Sequence, residues 1–315
     1  MGINQAKISK INKYPIDPQR HVNGLLRQIG KFVHSYFCQK LNEIKMNANK
    51  VLWEKGDFTK IAETMRDSGA ALITELGITE NMRVLDLGCG DGTTAIPAAK
   101  LGAKVIGIDI AENLVAAGNA RAEAEGLTNC FFKQGDASDL QEVDDWTFDL
   151  VVTIFGAMFA PKPFDVAKEM VRATRPGGRI VMGNWIPGDP TLVAQILRIS
   201  SAFTPPAPEG FVSPMLWGVE EEVTERFIRA GVAKQDIKFQ KAKFTFNAPC
   251  TPAEFVSLFR NYYGPTMNAF EAAEKIGKAA ELERQLRELF EAQNSSSDPS
   301  KTSITATYLQ VDVTV

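Results

Sequence analysis

Residues 84–94, Val-Leu-Asp-Leu-Gly-Cys-Gly-Asp-Gly-Thr-Thr, constrain the fold more than any other stretch of this chain. Four mostly apolar residues read as a buried strand that runs into a glycine turn and then a helix. Gly88, Gly90 and Gly92 stand at alternate positions, so the backbone can press against a ligand where any side chain would collide. Four more strands follow at 104–109, 130–134, 148–154 and 179–185, with helical patterns between them. Such alternation demands a parallel sheet covered on both faces by helices. In sheets of that kind ligands bind beyond the C-terminal ends of the strands, at the switch point. The acidic and glycine-rich punctuation of this chain lies at those ends: Asp109 after the second strand, Gly135-Asp136-Ala137 after the third, Phe155-Gly156 after the fourth.

Charge narrows the ligand. Asp86 and Asp91 flank the first turn. They would repel a pyrophosphate and attract a molecule that carries an ammonium and a sulfonium, which points to S-adenosylmethionine rather than a dinucleotide. Asp109 lies near the distance at which nucleotide-binding α/β folds place a carboxylate on ribose hydroxyls.

The glycine turn, the Asp109 strand end, Gly135-Asp136-Ala137, the Phe148-Asp149-Leu150-Val151 strand and Pro176-Gly177-Gly178 occur in one order and spacing. With them the chain resembles the class I S-adenosylmethionine-dependent methyltransferases, clearly over residues 46–187 and loosely beyond. Within that family it is similar to ubiquinone- and menaquinone-type small-molecule C-methyltransferases. The resemblance implies a seven-stranded, doubly wound, Rossmann-like, mostly parallel α/β sheet with an antiparallel last strand and helical lid insertions. It implies that Phe58 closes over the cofactor, that Asp86 lies near its ammonium, and that Gly88, Gly90 and Gly92 line its backbone. Asp109 would take the ribose hydroxyls and Ile110 would stack beside the adenine. Asp136 would accept from the adenine amino group, with a backbone donor from Ala137. Phe155 and Met158 follow the fourth strand, where methyl group and substrate meet.

The fourth strand ends Thr153-Ile154-Phe155-Gly156, so the Asn-Pro-Pro-Tyr signature of base methylation is missing. The regions expected to cover the site are aromatic and apolar: Trp185, Phe203, Phe211, Met215, Leu216, Trp217, Tyr262 and Tyr263. Met158, Trp185, Trp217 and Tyr262 are the substrate-pocket candidates. Methyl transfer from a sulfonium is a direct displacement and needs alignment and exclusion of water more than a strong base. Both histidines, His21 and His34, precede residue 45, so Tyr262 and Tyr263 are the remaining catalytic candidates.

Composition is ordinary for a soluble globular protein, with 44% hydrophobic and 23% charged residues and a net charge of −3. The four cysteines have no metal-ligand spacing; they suit a reducing, cytoplasmic setting, and no metal is expected. No transmembrane segment is expected, since no apolar run reaches a span's length. Three parts are expected: a basic amphipathic helical extension or lid over 1–45, the cofactor-binding core over 46–187, and a cap plus closing strands over 188–315. In the first part eight Lys and Arg face only Asp17 and Glu43, and apolar residues from Val22 to Ile44 recur at helical spacing. That helix is read as packing on the core or on a second copy in a homodimer; contact with a membrane surface is the lesser reading. A start at Met46 would make it an upstream extension. The chain therefore reads as a small-molecule methyltransferase without a nucleic-acid partner. The competing readings are an RNA or protein methyltransferase that uses the basic segment, and a non-catalytic cofactor-binding subunit.

Overall fold

The computed structural model describes residues 48–315. The expectations for residues 1–45, including both histidines and the helix from Val22 to Ile44, concern residues outside the described ones.

One seven-stranded sheet organises residues 48–315, with strand order β3-β2-β1-β4-β5-β7-β6. Strands β1 (Arg83–Leu87), β2 (Lys104–Asp109), β3 (Cys130–Gln134), β4 (Phe148–Ile154) and β5 (Thr174–Trp185) pair in parallel. Their central residues are apolar and buried, as in a sheet covered on both faces. β7 (Thr302–Thr314) inserts antiparallel between β5 and β6 (Ile237–Ala248). Along β7 the buried positions run Thr302, Ile304, Ala306 and Tyr308, then switch parity to Leu309, Val311 and Val313. Its two halves thus bury opposite faces of the pleat.

Ahead of β1 lie a helical turn over 48–54, here α1, then α2 (Thr59–Ala62) and α3 (Arg66–Glu75), joined by a 3-10 turn. The Ser68 hydroxyl donates to the Thr245 carbonyl at 2.8 Å and accepts from the Thr245 amide at 3.0 Å, which pins α3 to β6. Between the strands come α4 (Ala95–Lys100), α5 (Glu112–Ala124) and α6 (Pro163–Ala173). After β5 come α7 (Leu192–Ser201) and α8 (Glu220–Arg229). Three helices separate β6 from β7: α9 (Pro252–Tyr262), α10 (Gly264–Lys275) and α11 (Ala279–Gln293). The pattern over 266–292 reads as one helix, but the chain breaks it at Gly277, whose φ of +69° lies outside the right-handed helix. In α7 the apolar period of Leu192, Val193, Ile196 and Ile199 signals the helix, and all four are buried. Among the described residues, no helix is long and apolar enough to cross a membrane.

Candidate active site

The site begins where the tips of β1 and β4 touch through bare backbone. Gly88 has a φ of +64°, and a Cβ placed on it would stand 2.6 Å from the Gly156 Cα. A Cβ on Gly156 would stand 2.3 Å from the Gly88 carbonyl oxygen. Only two glycines let these strand ends meet this closely. Gly92 serves packing instead: its missing Cβ leaves room for the Phe132 ring and Ile96.

Three carboxylates surround the turn, each held in its own way. Asp109 accepts from the Gly90 amide at 2.8 Å and from the Ala111 amide at 2.9 Å, which ties the end of β2 to the glycine turn. Burial raises its carboxyl above the usual range, against the lowering effect of those amides. In Asp136, Oδ1 accepts from the Ser138 amide and hydroxyl, both at 2.8 Å, while Oδ2 is buried with no hydrogen-bond partner. Asp86 is buried deeper. Its Oδ2 accepts from the Thr94 hydroxyl and its Oδ1 has no partner. Burial pushes this carboxyl up to about 7, with the Thr94 bond acting in the opposite sense.

Asp91 departs from the sequence reading. Both its oxygens accept from the Arg66 guanidinium, one of them at 2.9 Å, and Arg121 approaches at 3.8 Å. The negative charge assigned to this side of the turn is neutralised by arginines on α3 and α5. The carboxylates that present charge to a ligand are Asp109 and Asp136.

A cavity opens over these strand ends. Its wall unites Phe58, Gly88, Gly90, Asp109, Ile110, Asp136, Ala137 and Phe155 from the expected set. Asp86 and Gly92 stand outside the wall, as do Met158, Trp185, Trp217, Tyr262 and Tyr263. Met158, Trp185 and Trp217 are buried in the core. Trp185 backs the wall at one remove, stacked on Phe155 with ring centroids 3.7 Å apart and planes 10° apart. Trp217 packs under the Arg226 guanidinium, 4.7 Å from its ring centre. Tyr262 presents its carbonyl to Gly56. Tyr263 packs against Trp53 and Phe58, and burial pushes its hydroxyl well above the ordinary phenol range. Phe155 itself has a φ of +62°, a conformation a bulky residue holds only under constraint from its surroundings.

The wall also holds residues that sequence reasoning missed: Asn49 and Trp53 from α1, Phe159 after β4, and Phe244 from β6. Asn49 and Trp53 are four residues apart, the spacing of one helix face, which was the available signal. Phe244 sits on an alternating strand and gave none. The cavity wall thus has a carboxylate part and an aromatic part. Among the described residues its wall carries no lysine, arginine, histidine or glutamate. This chemistry fits a cationic nucleoside: acceptors for ribose hydroxyls at Asp109, an unpartnered carboxylate oxygen for an amino donor at Asp136, and nothing to hold a phosphate.

Comparison with known proteins agrees. A sheet of this order, crossed at its switch point by a glycine turn and acidic strand ends, defines a methyltransferase of the Rossmann-like class. Residues 78–201 match the methyltransferase domain family. An uncharacterized protein of Mycobacterium tuberculosis (strain H37Rv) is 33% identical over 243 residues, 76% of this chain and 86% of that protein. Demethylmenaquinone methyltransferase of Halalkalibacterium halodurans is 35% identical over 109 residues, 34% of this chain and 44% of that enzyme. A solved structure of a candidate methyltransferase from Bacillus halodurans C-125 covers 77% of this chain and 96% of its own, with 16% identity and a TM-score of 0.50, a likeness of fold. The chain belongs to the S-adenosylmethionine-dependent methyltransferases, and S-adenosylmethionine is its cofactor.

Proposed function

We propose that the enzyme transfers the methyl group to a small, apolar, ring-bearing acceptor. One observation carries this reading: beside the residues given to the cofactor, the cavity wall carries the rings of Trp53, Phe155, Phe159 and Phe244. Among the described residues the aromatic wall carries no cation, which suits a flat apolar molecule better than an RNA backbone. The demethylmenaquinone relative, named for a quinone-ring substrate, supports a ring acceptor.

S-adenosylmethionine supplies a methyl group on a sulfonium, already bound to a good leaving group. Asp109 accepts from the ribose hydroxyls while its amide bonds keep the turn shut. Asp136 Oδ2 accepts from the adenine amino group, and Ile110, Ala137 and Phe58 close around the base. Asp86 stands one residue back from the wall and holds the Thr94 hydroxyl, which lines the cavity. The aromatic part excludes water and aligns the acceptor with the methyl group. The acceptor brings its own nucleophile: the described wall offers no histidine, and the Tyr263 hydroxyl keeps its proton at neutral pH.

The test is incubation of the enzyme with methyl-labelled cofactor and a fractionated cell extract. Label is expected in the organic-extractable fraction. Label in RNA or protein instead would overturn the reading.

A further inference from the structure

We propose that α1 is the acceptor-reading element: Trp53 sets the size of the flat ring the cavity admits, and Asn49 hydrogen-bonds to a polar atom on that ring's edge. This rests on the apolar-acceptor reading above. Asn49 and Trp53 stand one turn apart on one face of α1, and both line the cavity. Trp53 is the hub of an aromatic cluster at the wall. Its ring meets Phe159 at 5.0 Å, Phe58 at 5.8 Å and Tyr263 at 6.0 Å between centroids. Asn49 carries the one carboxamide on the described wall. The other polar side chains there belong to the glycine turn, to Arg66 and Asp86 through Thr93 and Thr94, or to Asp109 and Asp136.

A residue can select by size only if its support is stiff, and α1 is fixed at its C-terminal end and along one flank. Glu54 accepts from the Glu112 amide at 3.0 Å, in the first turn of α5. Lys55 reaches Glu271 at 2.7 Å on α10. A Cβ on Gly56 would stand 2.4 Å from the Tyr262 carbonyl oxygen, and one on Gly264 would stand 2.3 Å from that of Leu52. These two glycines let the segment after β6 grip α1 backbone to backbone. Trp53 is thereby held as a fixed wall, so its removal adds room that the neighbouring rings do not fill.

The test is binding by calorimetry with S-adenosylhomocysteine present, using naphthalene, 1-naphthol and 1-hydroxypyrene as probes. In Asn49→Leu the preference for 1-naphthol over naphthalene should fall by about two- to tenfold, the value of one neutral hydrogen bond. In Trp53→Ala, 1-naphthol should weaken by about tenfold while 1-hydroxypyrene binds as well or better, reversing their order; Trp53→Phe should restore the wild-type order. Affinity for S-adenosylhomocysteine should stay within about threefold in all three variants. An unchanged naphthol-to-naphthalene ratio in Asn49→Leu, or an unchanged order in Trp53→Ala, overturns the proposal. So does loss of S-adenosylhomocysteine binding in Asn49→Leu or Trp53→Phe, which would place α1 on the cofactor. A wild-type protein that binds none of the probes overturns the apolar-acceptor reading itself.

Discussion

The carboxylate and aromatic parts of the cavity wall are built on different principles. The carboxylate part is made by consecutive strand tips, and its side chains are locked by backbone amides: Asp109 by Gly90 and Ala111, Asp136 by Ser138. The aromatic part is assembled from α1, the start of α2, the end of β4 and the middle of β6, by rings that touch edge to face. The first is fixed by hydrogen-bond geometry, where a single added atom has nowhere to go. The second is fixed by volume, where a change of size shifts what fits. A fold so arranged keeps one cofactor while its acceptor varies, because the pieces that form the acceptor wall can change without disturbing the strand tips.

The contrast can be broken most severely at Gly88. Gly88→Ala should abolish cofactor binding and lower the melting temperature sharply, since the new Cβ meets backbone 2.6 Å away at a φ of +64°. A folded, cofactor-binding variant would show that the crossing of β1 and β4 is not rigid. Next comes Asp109→Ala, expected to weaken S-adenosylhomocysteine by about 10- to 150-fold, the value of roughly 1.5–3 kcal/mol of charged hydrogen bonding. Calorimetry showing unchanged affinity would reject the ribose assignment.

Asp86 should make stability depend on pH. Its carboxyl ordinarily ionises near 3.8 and in the folded protein near 7. Between those values the folded state holds a proton that the unfolded state has lost, so stability should fall as pH rises from about 4 to about 7 and then level off. Asp86→Asn should flatten that slope, by an amount on the order of a few kcal/mol at neutral pH. Melting curves that fall equally in both proteins would assign the slope to other groups, Asp109 foremost, since burial raises it too. The smallest effect is expected at Lys55→Ala. It breaks a partly exposed pair with Glu271, and loses under about 1 kcal/mol of stability. A larger loss would mean that α1 depends on this pin more than on its glycine contacts.

Much of the carboxylate part was legible in the sequence because its signals are local. β1 to β4 begin and end where alternation and punctuation place them, and the acids that face the cavity stand at the predicted strand ends. The exception is Asp91. Its partner Arg66 lies 25 residues upstream on a different element, which no local pattern reveals. The aromatic part was hardly legible. Aromatic residues after β5 suggest a wall, but Trp185, Phe203 and Trp217 are buried in the core and Phe211 is exposed. An apolar ring reads the same in a core or a cavity until packing assigns it. Phe244 reaches the wall only because β6 closes the far side of the sheet, a long-range contact.

That closure has a consequence for the order in which the protein can assemble. Among the described residues β6 has no strand neighbour but β7, and β7 is synthesised only after the three helices that follow β6. Until β7 inserts beside β5, Phe244 has no place in the aromatic part of the wall, and the backbone groups of β6 lack their ladder. Contacts of such long sequence separation form slowly and late. A nascent chain can therefore shape its strand tips β1 to β4 early, yet complete the chamber for its acceptor only when the strand at 302–314 has docked.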